Sequence, residues 1–88
     1  MEEKLLCHTD LVMFDGTKRT TKGKYYTIVS KYIDIFGDIM YQIMDDGGLL
    51  HDFSINQGDQ SYYRRWFYNK KELRKLLFEY FDIDLLDN

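Results

Sequence analysis

The chain has 88 residues, of which 44% are hydrophobic and 17% aromatic, with a formal net charge of -3. A domain of this length buries only roughly 60% of the surface its unfolded chain exposes, so eight Tyr, six Phe and one Trp are the means by which it can build a core. The single Cys7 excludes an internal disulfide, and neither a signal-peptide pattern nor an apolar run of membrane-spanning length is present, so a soluble, cytoplasmic protein is expected.

Leu5 to Phe14 reads as a first strand closed by the turn signal Asp15-Gly16, and the polar stretch Thr17 to Lys22 as an exposed loop. Lys24 to Lys31 is a second strand, whose alternation puts Tyr26 and Ile28 on one face and Tyr25, Thr27 and Val29 on the other. Residues 32–38 suit either an extended hairpin or a packed loop, and a hairpin ending near Gly37 is favoured. Ile39 to Asp45 forms the third strand, and Asp46-Gly47-Gly48 offers positive-φ positions for a tight turn into Leu49 to Ser54. Asn56 to Ser61 is a loop, and Tyr62 to Tyr68 is either a short aromatic strand or an irregular connector. Asn69 is a helix N-cap, Glu72 completes a capping box, and Leu73, Leu76, Leu77 and Tyr80 recur at helical spacing. The spacing predicts a helix over 70–81 with an acidic tail at 82–88. Without proline, linker composition or repeats, residues 1–88 form one domain.

Lys22-Gly23-Lys24 followed by an aromatic residue, the segment Tyr41-Gln42-Ile43-Met44-Asp45-Asp46-Gly47-Gly48 and the late aromatic stretch resemble small SH3-like barrel proteins of bacteriophages and other mobile elements. The likeness covers about residues 20–68. It implies an α+β fold, an antiparallel SH3-like β-barrel of about five strands over residues 5–68 with the helix appended. It implies little about activity, because one barrel serves many roles. The Ser54 to Arg65 connection and the helix depart from the pattern, and there the properties particular to this chain are expected.

Charge falls in blocks. Residues 17–24 hold Lys18, Arg19, Lys22 and Lys24 without an acid, residues 60–75 hold six cations against Glu72, and residues 32–59 hold six Asp and no Lys or Arg. The blocks either form a two-signed surface or meet and cancel. Lys18, Arg19, Lys22, Lys24, Lys70 and Lys71 are the candidate phosphate-binding residues, the last two at a helix start where the dipole disfavours cations. Tyr62, Tyr63, Arg64, Arg65 and Trp66 combine the residue types enriched at interface hot spots and form the candidate partner-binding site. The alternative is that Tyr63 and Phe67, with Trp66 close by, shut the barrel while the arginines face water. On the helix, Phe78, Phe81 and Leu85 form a second apolar stripe beside Leu73, Leu76, Leu77 and Tyr80. That stripe is a candidate oligomer seam or partner groove, unless a wide helix face settles over an open barrel end.

Asp45 and Asp46 stand directly before Gly-Gly and read as turn residues rather than a metal site. Cys7-His8 and His51 lack zinc-ligand spacing, and neighbours on a strand point to opposite faces, which separates Cys7 from His8 as a nucleophile and base. No phosphate-binding loop, dinucleotide glycine pattern or serine elbow occurs. No enzymatic activity, cofactor or metal is therefore expected. The expected function is that of a small phage-encoded protein that binds and modulates or inhibits a host or defence protein. A nucleic-acid-binding barrel and a sponge for a nucleotide-like signal are the alternatives.

Overall fold

The computed structural model describes residues 3–81, with the side chains of Tyr80 and Phe81 left aside. Its elements in chain order are β1 (Lys4–Cys7), β2 (Leu11–Val12), β3 (Lys18–Thr20), β4 (Tyr25–Ile33), β5 (Ile39–Met44), β6 (Leu50–Ser54), a 3-10 turn (Tyr63–Arg65), β7 (Phe67–Tyr68) and α1 (Lys70–Phe81). Five strands pair antiparallel in the order β6-β5-β4-β1-β7 and curl into a half-barrel, while β2 and β3 form a separate ribbon. The register of β4 on β5 shifts by one residue between Ile28 and Ser30, a bulge that sharpens the bend of the longest strand.

Three hairpins use one turn design. Met13 exchanges with Thr17, Asp34 with Asp38 and Asp45 with Leu49, the first residue of each pair donating its N–H to the carbonyl of the second at 2.7–2.9 Å. A glycine occupies the fourth position of each turn with φ of 84–85°, at Gly16, Gly37 and Gly48. A three-residue loop of this kind needs one left-handed residue, which glycine supplies without steric cost. In the third turn only Gly48, not Gly47, takes positive φ.

The expected first strand, Leu5 to Phe14, is broken at His8–Asp10. Gly23 donates to the Cys7 carbonyl, the Asp10 carboxylate turns back to accept the Lys22 N–H at 2.6 Å, and the chain leaves the main sheet for the β2–β3 ribbon. The expected loop Thr17 to Lys22 is correspondingly half strand. Its Lys18-Arg19 pair looks solvent-exposed in sequence, yet Thr20 is fully buried, its hydroxyl accepting the Leu11 N–H and lying 3.5 Å from the Cys7 sulfur.

Leu5, Cys7, Leu11, Tyr26, Ile43, Phe53, Tyr63 and Phe67 form the core, with Ile28, Tyr41, Tyr62 and Trp66 packed at its margin. Phe67 is at the centre: its ring meets Phe53 and Tyr26 edge-on at 5.1 and 5.8 Å. Truncating so buried a phenylalanine costs about 3–5 kcal/mol. The helix has the expected bounds and start. Asn69 Oδ1 accepts the Glu72 N–H and Glu72 Oε1 accepts the Asn69 N–H, each at 2.8 Å, a reciprocal capping box. Glu72 also takes the Tyr63 hydroxyl and sits 3.2 Å from Arg64 Nε, so one carboxylate fastens α1 to the 3-10 turn.

Candidate binding surfaces

The segment from Tyr62 to Tyr68 is a 3-10 turn followed by a two-residue strand, and the alternation within it decides what faces water. Tyr63 is only 5% exposed and stacks edge-on against Tyr41 and Tyr62, so it is a core residue and leaves the candidate partner site. Burial, reinforced by the hydrogen bond to Glu72, pushes its phenol pKa well above the ordinary value. Trp66 is half-buried against Phe53, 5.4 Å between rings. Tyr62 likewise shows only part of its ring. Arg64 and Arg65 face solvent, Arg64 with its Nε 3.2 Å from Glu72.

The first basic block is largely cancelled by acids brought in from elsewhere. Lys18 pairs with Asp10 at 3.5 Å, Arg19 approaches Asp45 at 3.8 Å, and Lys24 approaches Asp46 at 3.7 Å, while Lys22 remains exposed. Asp45 is the hub. Its Oδ1 accepts the N–H groups of Gly47 and Leu49 at 2.8 Å each, and its Oδ2 lies 2.8 Å from His51 Nε2. Burial pushes the Asp45 carboxyl up, but the Leu49 and Gly47 amides and His51 together outweigh it and leave the pKa below its usual value. Asp46 accepts the hydroxyls of Thr21 and Tyr26, both at 2.6 Å, which lower its own pKa. Burial and the bond to Asp46 push the Tyr26 phenol up to about 12. These two aspartates therefore build the turn and tie it to β3 and β4. Among the described residues no cluster of three or more His, Cys, Asp or Glu is arranged to hold a metal.

Two features escaped the sequence reading. The first is at the hairpin tips: Phe14 is wholly exposed, and Ile35 and Phe36 are 93% and 82% exposed. The Asp34 carboxylate accepts the N–H groups of Phe36 and Asp38 at 2.9 Å each, so the second tip is held in one shape with its apolar side chains outward. Large apolar residues at the central positions of a turn otherwise marked by Asp and Gly were the available signal, masked by their resemblance to strand residues.

The second is a groove between α1 and the outward face of the sheet, with a volume of about 740 Å³. Leu5 and Cys7 point into the core, so Leu6 points out, and register places Tyr25 and Tyr68 directly beside it on β4 and β7. Leu73 and Leu77 of α1 face this row, and Lys4, Lys70 and Arg74 rim it. Lys70 thus sits at this groove, and Lys71 is exposed. Among the described side chains of the helix, Leu76 and Leu77 are 37% and 45% exposed, and Leu73 and Phe78 are half-buried. The Phe81 side chain and Leu85 lie outside the described residues. Among the described residues no helix is long and apolar enough to cross a membrane. No protein family, curated protein or solved structure matches this chain.

Proposed function

We propose that this chain is a non-enzymatic binding module of the SH3-like barrel class, encoded by a bacteriophage or mobile element, that captures a host or defence protein and modulates it. The strand order β6-β5-β4-β1-β7, with a 3-10 turn before the last strand, supports the class together with the sequence resemblance. The observation that carries the binding role is the second hairpin tip. Ile35 and Phe36 are presented to solvent on a turn already fixed by Asp34, so docking them costs little ordering entropy. Burying both in a partner would contribute about 3–6 kcal/mol, roughly a hundredfold or more in Kd.

The test is a tagged pull-down from bacterial lysate treated with nuclease, comparing the parent chain with the double variant Ile35→Asp, Phe36→Asp. One protein retained by the parent and lost by the variant, with equal urea midpoints for both chains, is the expected result. Identical capture by the two chains refutes the role of the tip. Nucleic-acid-associated proteins that vanish on nuclease treatment would instead favour the nucleic-acid alternative, which draws less support because Lys18, Arg19 and Lys24 each face a carboxylate.

A further inference from the structure

We propose that the groove between α1 and the row Tyr25-Leu6-Tyr68 receives an acidic, leucine-bearing peptide segment of a partner protein. This rests on the reading of the chain as a protein-binding module and names the chemistry of a second contact, distinct from the hairpin tip. Charge complementarity points to the occupant. Lys4, Lys70 and Arg74 surround the groove, and the one acid on its rim, Glu3, is already engaged by Lys31. Among the described residues no carboxylate forms an ion pair with any of the three rim cations. A positive rim is thereby concentrated on a chain whose net charge is -3. Lys70 also stands at the first position of α1, where the helix dipole disfavours a cation, so helix stability does not account for it.

The lining separates a peptide from a nucleotide. Leu6, Leu73 and Leu77 give the groove an aliphatic interior suited to branched side chains, and His8 already stacks on Tyr68 with ring centroids 4.3 Å apart, leaving less aromatic face for a base. Apolar side chains would occupy the floor while carboxylates on either side meet the rim, the division of labour usual at protein interfaces.

The experiment is an NMR titration of the full chain with the synthetic peptide acetyl-Asp-Leu-Asp-Ile-Leu-Asp-amide. Amide shifts confined to Leu6, Tyr25, Tyr68, Lys70 and Leu73 are expected, weakening with added salt. The double variant Lys70→Glu, Arg74→Glu should bind about tenfold more weakly or worse while keeping its helix by circular dichroism. Absent shifts, shifts elsewhere, or equal binding of a lysine-for-aspartate peptide overturn the proposal. So does a stronger response of the same amides to ATP or oligothymidylate, which would assign the groove to phosphate ligands. Concentration-dependent shifts without peptide would assign it to a second copy, and shifts caused by Leu85→Asp alone would assign it to the chain's own residues 82–88; either result overturns it. No lysate partner enters this titration, so its failure and a failure of the capture experiment are read separately.

Discussion

Replacing Asp45 with Ala should be the most damaging single polar substitution in the described chain. The carboxylate is fully buried and makes three bonds of 2.8 Å, to two backbone amides and to His51. Bonds to a charged group contribute about 1.5–3 kcal/mol each. The amides of Gly47 and Leu49 sit in exposed residues, however, and water can replace part of what they lose. We therefore expect a net loss of about 3 kcal/mol, or a Tm lower by about 12–24 °C for a domain of this size. Arg19, at 3.8 Å, contributes little to that sum. Urea unfolding followed by Trp66 fluorescence reads the loss directly, since Trp66 is the sole tryptophan and packs on Phe53. Asp34→Ala is the internal control: the same turn, two similar amide bonds, but no histidine, and an expected cost of about 1 kcal/mol. Equal losses for the two variants, or less than about 1 kcal/mol for Asp45→Ala, would refute the claim that burial and His51 set the magnitude.

Other outcomes follow from the same geometry. Because the folded pKa values of Asp45 and Asp46 lie below the unfolded value of 3.8, the unfolded chain takes up protons first as pH falls. Their stabilisation is complete above about pH 4 and lost below it, and Asp45→Asn should flatten that decline in an acid titration of the urea midpoint. At the alkaline end the sign reverses. Tyr26 holds its proton to about pH 12 when folded against 10 when unfolded, so its contribution is intact below pH 10 and disappears as pH rises towards 12, visible as delayed tyrosinate absorbance. Glu72→Ala removes the Asn69 capping partner, the Tyr63 hydroxyl acceptor and the Arg64 contact together, and should cost about 2–3 kcal/mol by urea unfolding. Lys71→Glu, exposed in the first turn of α1, should stabilise by about 0.3–1 kcal/mol at low salt.

The parts of this fold that a sequence reveals are those fixed by neighbours along the chain. Alternation put Tyr26 and Tyr25 on opposite faces, the Asp and Gly signals marked all three turns, and Asn69 with Glu72 set the start of α1. What stayed hidden depends on contacts between distant segments. Nothing local distinguishes Thr20 from its polar neighbours until Leu11 and Cys7 are brought against it. Whether Tyr63 meets a partner or shuts the barrel stays open until Tyr41 takes its ring and Glu72 its hydroxyl. The groove depends on the sheet register that sets Tyr25 and Tyr68 beside Leu6, and the cancellation of the first basic block on the return of Asp10, Asp45 and Asp46.

The shared turn design has a consequence for how such a chain can change over generations. Each loop is defined by its closing backbone pair and its glycine, so the two residues at the tip are conformationally undemanding: Phe14-Asp15, Ile35-Phe36 and Asp46-Gly47 fill equivalent places with different chemistry. Only the third pair is anchored from outside, by Thr21 and Tyr26. In the first loop Asp15 accepts the Thr17 N–H at 2.9 Å and so belongs to the turn itself, which leaves Phe14, Ile35 and Phe36 as the tip side chains that can be rewritten while the half-barrel beneath them keeps its sequence.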